Sequence, residues 1–163
     1  MTRIEVSNEL RGDLGELYFK HLCQQRGYGY VRLEDIFNNF GLDRLLEFKC
    51  GFDRIIVLVP EDVEDDIRDV CMPLDVNGTD SFAFDFLTVK LHPKDRDADF
   101  VQKKPEEFCW VEIKTGGSQL SKHQNEVREG CFIRFSLFRV SDVNVSPHNV
   151  EIKWEYDSGI WKP

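Results

Sequence analysis

The residues best suited to chemistry are two charged groups two positions apart in Trp110-Val111-Glu112-Ile113-Lys114-Thr115-Gly116-Gly117. In an extended chain Glu112 and Lys114 point to one face, and Val111 and Ile113 to the other. A carboxylate and an ammonium on one side of a strand whose other side is apolar need water, a ligand or each other. A second acid, Asp85, stands in Ala83-Phe84-Asp85-Phe86-Leu87-Thr88-Val89. On a neighbouring strand with the same facing, its carboxylate meets that of Glu112. Two convergent carboxylates form the hard, oxygen-rich site that Mg²⁺ or Mn²⁺ prefers, with positions left for waters and a phosphate oxygen. Lys114 beside them would orient or deprotonate an attacking water and offset charge on a pentavalent phosphate, which makes in-line hydrolysis of a phosphodiester feasible. Gly51-Phe52-Asp53-Arg54-Ile55-Ile56-Val57 also sets an acid at the head of an apolar run. Asp85 is nearer to Glu112 in sequence and is preferred, with Asp53 as its rival.

Elements able to position these groups follow from the spacing of apolar residues. Leu10, Leu14, Leu17, Tyr18 and Leu22 recur at intervals of three and four and predict a helix over residues 8–26, with Ser7 as N-cap and Gly27 as stop. Tyr28 to Arg32 suits a strand, and Leu33 to Phe48 fits helix or loop equally well. Arg54 to Pro60 is β-branched and predicts a buried strand. Glu61 to Val70, with Val63, Ile67 and Val70 at helical spacing, predicts a short solvated helix, and Asn77-Gly78 marks a turn. Ser81 to Leu91 and Phe108 to Lys114 alternate as strands do, joined by a polar, proline-bounded connection from His92 to Glu107. Gly116-Gly117 breaks the second strand, Ser118 or Ser121 caps a helix to about Glu129, and Gly130 ends it. Cys131 to Val140 and Val150 to Trp154 read as two closing strands joined through Pro147. The order predicts an α/β fold bordering on α+β: a mixed central sheet flanked by helices, with the reactive motifs on central strands.

The arrangement Asp85 … Glu112-x-Lys114 resembles the signature of the PD-(D/E)xK nuclease superfamily, and three flanking segments add to the resemblance. Gly12-Asp13-Leu14-Gly15-Glu16-Leu17-Tyr18-Phe19-Lys20 is similar to the family's first helix, Leu120-Ser121-Lys122-His123-Gln124 to a segment of virus-type replication-repair nucleases and archaeal junction resolvases, and Phe135-Ser136-Leu137-Phe138-Arg139-Val140 to the closing strand of restriction-endonuclease-like domains. These four short segments spread over most of the chain. The resemblance implies a restriction-endonuclease-like core and a DNA endonuclease acting in repair, recombination or restriction. It implies Mg²⁺ or Mn²⁺ held by Asp85, Glu112 and Ile113, with Lys114 positioning water, Glu16 at the edge of the metal site and Gln124 approaching it. Many relatives act as dimers, so a homodimer is a further expectation. Two departures stand out: Phe84 occupies the place of the family's proline, and the stretch before Asp85 is long, which implies an insertion over residues 34–80.

Composition bounds the rest. A chain of 163 residues, 41% hydrophobic, buries one sizeable core and would crowd two, so one domain over residues 1–163 is expected. Five cysteines without a Cys-x-x-Cys pair argue against a disulfide framework or a structural zinc site and read as buried thiols in a reducing compartment. Residues 1–9 lack the apolar core of a secretion signal, and no apolar run approaches the roughly 20 residues that span a bilayer, so the expectation is cytoplasmic and without a membrane. His21, His92, His123 and His148 are too scattered for a metal cluster. Lys103-Lys104 reads as a solvated loop, and Trp154, Tyr156 and Trp161 as core or interface.

The net charge of −9 weighs against a nonspecific DNA binder, which gains affinity by neutralising phosphates. The acids gather in Glu61-Asp62-Val63-Glu64-Asp65-Asp66, while Lys103-Lys104 and Lys122-His123 lie elsewhere, so a local basic face can coexist with a negative total. A recruiting protein partner would also fit. The alternative reading is a catalytically inactive nuclease-fold module that binds a protein partner or nucleic acid; an acidic DNA mimic is disfavoured by the intact Lys114.

Overall fold

The computed structural model describes residues 6–76 and 79–157, without the side chains of 75–76, 79–80 and 157. The expected turn at Asn77-Gly78 and the placing of Trp161 lie outside the described residues. The chain runs α1 (Asn8–Arg26), β1 (Tyr28–Arg32), α2 (Leu33–Asn39), β2 (Leu45–Cys50), β3 (Asp53–Leu58), α3 (Glu61–Val70), β4 (Leu74–Val76), β5 (Thr79–Ser81), β6 (Phe86–Lys90), β7 (Val101–Gln102), β8 (Phe108–Thr115), α4 (Lys122–Gly130), β9 (Arg134–Ser146) and β10 (Asn149–Asp157). Apart from the β4–β5 hairpin, the strands form one eight-stranded mixed sheet in the order β10-β9-β8-β6-β1-β2-β3-β7. The β8–β9 and β3–β7 pairs are parallel and the others antiparallel. The fold is thus mixed α/β, with β8 deep inside the sheet.

α1 begins where expected, the Ser7 hydroxyl accepting from the Leu10 amide at 3.1 Å, and ends at Gly27. Its buried face differs from the leucine stripe, however: Gly15, Phe19, Leu22 and Cys23 are buried, while Leu10 and Leu17 are exposed. Two contacts set the phase. Phe19 wedges between Phe86 and Phe138, with ring centroids 5.3 and 5.4 Å away. At Gly15 the helix comes so close to β9 that an added Cβ would lie 3.0 Å from Val140 Cγ2. Burying an aromatic ring outweighs burying one leucine, and only a residue without a side chain permits the approach.

Residues 33–48 resolve into α2, a short loop and β2. β3, expected to be a buried strand, is buried on one side: Ile55 and Val57 are inside, while Ile56 is exposed. Helix α3 covers only one face of it, turning Val63, Ile67 and Val70 inward and most of its acids to water. Residues 34–80, expected to be an insertion, supply two strands of the main sheet and helices that pack on it. One core cluster lies on their side, with Phe48, Val57, Ile67 and Trp110; a second lies under α1, with Phe19, Phe86, Val111 and Phe138. β9 and β10 extend beyond the spans expected for them and form one hairpin through Pro147 and His148.

The connection between β6 and β8 departs most from a solvated loop. Lys103 is buried, its ammonium 2.5 Å from Asp95 Oδ2, and that oxygen also accepts from the His92 amide at 2.7 Å. Burial works to raise the Asp95 carboxyl, but the His92 amide and the Lys103 ammonium outweigh it and hold it below its ordinary value. All five cysteines are free thiols, four buried and Cys131 half-buried. Burial pushes Cys71 upward and Cys131 up to about 12, so neither is a ready thiolate. Among the described residues no helix is long and apolar enough to cross a membrane.

Candidate active site

β8 is lined by residues of both core clusters from Phe108 to Val111, so Glu112, only 7% exposed, emerges where the apolar cover ends. Val111 and Ile113 face the α1 cluster, and the period-two alternation sets Glu112 and Lys114 on the opposite side of the strand.

Asp85 is not within a strand, as the alternation of residues 81–91 predicts. β5 ends at Ser81 and β6 starts at Phe86, so Asp85 lies one residue before the strand. It is still bound edge-on to β8. Its amide donates to the Val111 carbonyl at 3.2 Å, and its Oδ2 accepts from the Ile113 amide at 2.8 Å. A side chain inside the ladder could not turn to meet a neighbouring strand's amide in this way. The break after Ser81 therefore serves to aim the carboxylate at the end of β8.

Gln124 holds the other acid. Its Nε2 donates to Glu112 Oε2 at 3.0 Å and to the Ala83 carbonyl at 2.9 Å, which ties α4, β8 and the segment before Asp85 together. Its Oε1 accepts from the Ser121 amide at 3.0 Å, while the Ser121 hydroxyl accepts from the Gln124 amide at 3.1 Å. This reciprocal cap fixes the glutamine's rotamer. Of the two serines considered as caps, Ser121 is the one used.

Asp85 and the surrounding core perturb Glu112. Burial first, and then the negative charge of Asp85, push the Glu112 carboxyl up to about 9, against a smaller lowering by Lys114. The protonated form of Glu112 donates a hydrogen bond to Asp85, so Glu112 keeps its proton at neutral pH. Lys114 and Asp85 open on a cleft of 310 Å³ that is also lined by Gly12, Glu16 and Ile113. Glu16 thus reaches the site's edge from α1, engaged there by Arg32 and, at 3.4 Å, by Lys20. Ile113 can serve a cation only through its backbone oxygen, since its side chain is apolar and its amide is a donor, here to Asp85.

Beyond Lys114 the chain must turn sharply. Gly116 adopts φ +59°, a left-handed conformation that favours glycine. Arg139 clamps the turn, its Nη1 donating to the Gly116 and Ser118 carbonyls at 2.7 Å each. Arg139 pairs across the β8–β9 ladder with Lys114. The rival acid is not brought to the site. Asp53 lies on β3, separated from β8 by β6, β1 and β2, and pairs with Arg96 at 3.3 Å.

Two supporting residues escaped the sequence reading. Arg139 could have been suspected only from the register of β9 against β8. Asp66, within the acidic run, accepts from Trp110 Nε1 at 3.2 Å and from the amides of Phe132 and Ile133 at 3.0 and 3.1 Å, which anchors β8 to the start of β9. Its one signal is a position on α3 next to the buried Val63, Ile67 and Val70 stripe.

The donor set for a cation is therefore two carboxylates and a backbone oxygen; among the described residues no group of three or more His, Cys, Asp or Glu side chains is arranged to hold a metal ion. No family model, curated protein or solved structure matches the chain.

Proposed function

We propose that this protein is a Mg²⁺- or Mn²⁺-dependent DNA endonuclease of the PD-(D/E)xK type, built on a restriction-endonuclease-like core, with Asp85, Glu112 and Lys114 at its reactive centre. One observation carries the reading: two carboxylates are forced together at the margin of the core, with a lysine beside them at the mouth of a cleft. Placing like charges in that position costs stability unless a cation or a proton offsets them. The all-oxygen donor set fits a hard divalent ion, with coordination positions left for water and phosphate.

Asp85 and Glu112 would hold the ion together with the Ile113 carbonyl. A bound ion supplies Lewis acidity toward a phosphate oxygen and lowers the pKa of attacking water. The protein's own groups do the remaining work. The Ile113 amide and Gln124 fix one oxygen of each carboxylate, which leaves the other oxygen of each free of those two donors, with Asp85 at the cleft and Glu112 just behind it. Lys114 positions the water and offsets negative charge that grows on the phosphate during in-line attack. Glu16 orients Lys20 and Arg32 at the rim.

The test is incubation with linear, single-stranded, flapped and four-way DNA in Mg²⁺, Mn²⁺ or chelator. Cleavage is expected only with metal and is expected to fall about 10²–10³-fold in Lys114→Ala. A Lys114→Ala protein that cleaves as fast as the parent would sink the mechanism. The second reading, a non-catalytic binding module, draws on the net charge of −9. It requires that Mn²⁺ calorimetry give no heat, whereas the enzyme reading requires a heat that vanishes in Glu112→Gln.

A further inference from the structure

The same face of the sheet that α1 covers at one end lies open over β1, β2 and β3. Tyr30 and Arg32, Glu47 and Lys49, and Arg54 and Ile56 alternate with the buried Val31, Phe48 and Ile55, and so project to one side. They line a cleft of 560 Å³, walled by Lys20 of α1. Its basic residues, Lys20, Arg32, Lys49 and Arg54, outnumber its acids, Asp35 and Glu47, by two, in a chain whose net charge is −9. Strand register sets three of the lining residues in a row: Tyr30 pairs with Lys49, and Lys49 with Arg54, at the roughly 4.8 Å spacing of neighbouring strands. An aromatic ring beside a line of cations is the arrangement that stacks a base while gripping the adjoining backbone. The cleft also leads somewhere: Lys20 and Arg32 in its wall are the residues that hold Glu16, which lines the smaller cleft of Asp85 and Lys114.

We propose that the cleft over β1, β2 and β3 is a track for one unpaired nucleic-acid strand, which it delivers across Arg32 and Glu16 to the candidate catalytic centre. The cleft's volume falls in the roughly 300–1,000 Å³ range of pockets that enclose small ligands, room for a nucleotide or two and too small for a duplex. Its occupant is selected by charge complementarity and by the ring of Tyr30. Delivery to the centre rests on the nuclease reading, but the cleft's affinity does not require it.

The test measures fluorescence anisotropy of labelled oligothymidine, with chelator present to prevent cleavage, for the parent and for Lys49→Ala/Arg54→Ala. Both substituted side chains are exposed, so the double variant should fold. It is expected to bind about ten-fold or more weakly, with a salt dependence shallower by about 1.4 in log–log slope, about 0.7 per lost cation. An oligomer of the same length with abasic sites is expected to bind the parent about ten-fold more weakly, and blunt duplex is expected to compete poorly. Equal binding by parent and double variant overturns the proposal. So does equal affinity for the abasic oligomer, tighter binding of duplex, or displacement by polyglutamate as effective as by oligothymidine, which would assign the face to an acidic protein segment. Mn²⁺ calorimetry on the same variant separates the two proposals. Metal heat retained with strand binding unchanged defeats the track alone, and strand binding lost on substitution without any metal heat in the parent defeats the nuclease alone.

Discussion

Replacing Glu112 by glutamine should make the metal-free protein more stable. Below about pH 4.5, the ordinary value for this carboxyl, Glu112 carries its proton in both folded and unfolded chains. As pH rises further, the unfolded chain releases the proton, but the folded chain keeps it up to about 9. The raised value therefore means stability that is complete in acid and is lost progressively as pH climbs toward 9, at about 1.4 kcal/mol per pH unit. Near neutrality the loss from this one residue amounts to about 3 kcal/mol, a large share of the 5–15 kcal/mol typical of a domain. A glutamine side chain in its place has no proton to lose, keeps nearly the same shape, can accept from Gln124 and can donate to Asp85. Urea denaturation in chelator across pH 4.5 to 9 checks this: Glu112→Gln should gain up to about 3 kcal/mol near pH 7 and show a flatter profile than the parent. Saturating Mn²⁺ should stabilise the parent and leave the variant unmoved. Parallel pH profiles, or a variant less stable than the parent at neutral pH, would refute the claim that Glu112 and Asp85 are held together against their charge.

Four further outcomes follow from the same geometry. Gln124→Ala removes the groups that orient Glu112 and close the helix cap; Mn²⁺ affinity by calorimetry should fall about 10–100-fold and stability by about 1–2 kcal/mol. Lys103→Met leaves buried Asp95 without its counter-ion and should cost about 3–5 kcal/mol in denaturant, while the Mn²⁺ heat of the folded protein is unchanged. In the parent, the stability contributed by Asp95 should fade as pH drops below its ordinary value, because its folded carboxyl is held low. Asp53→Ala, an exposed residue far from β8, should shift stability by no more than about 0.5 kcal/mol and leave cleavage rates at the parental level.

The parts of the site that were legible in the sequence are those fixed by local geometry. Glu112 and Lys114 share a face because they are two apart on a strand, Gly116 turns the chain, and a serine caps the following helix three residues before Gln124. What could not be read depends on who packs against whom. The leucines of α1 suggested one buried stripe, but Phe19 and the close approach at Gly15 rotated the helix toward another. Asp85 reads as a strand residue because its neighbours alternate, yet its function in holding the Ile113 amide requires that the strand start one residue later. Lys103 has the sequence surroundings of a solvated loop, and only the return of Asp95 across a short turn makes it a buried cation.

The distribution of charge bears on how a protein with a net charge of −9 could hold a polyanion. On β2 and β3 the inward residues Phe48, Ile55 and Val57 pack with Val63 and Ile67 of α3, so α3 covers the face opposite Lys49 and Arg54. The exposed acids Glu61, Asp62, Asp65 and Asp69 consequently sit on the far side of the sheet from the basic cleft. A helix packed on a sheet puts about 10 Å or more between its outer surface and the sheet's other face, and the Debye length at physiological salt is about 8 Å. Much of the repulsion from those acids would be screened before it reached a strand lying across β1 to β3. Asp66, the member of the run nearest the sheet, is turned inward and satisfied by Trp110, Phe132 and Ile133. The exposed acids of α3 thus lie away from the cleft, and the charge lining the cleft itself is four cations and two acids around Tyr30, with Glu16 beyond Lys20 and Arg32 at its end.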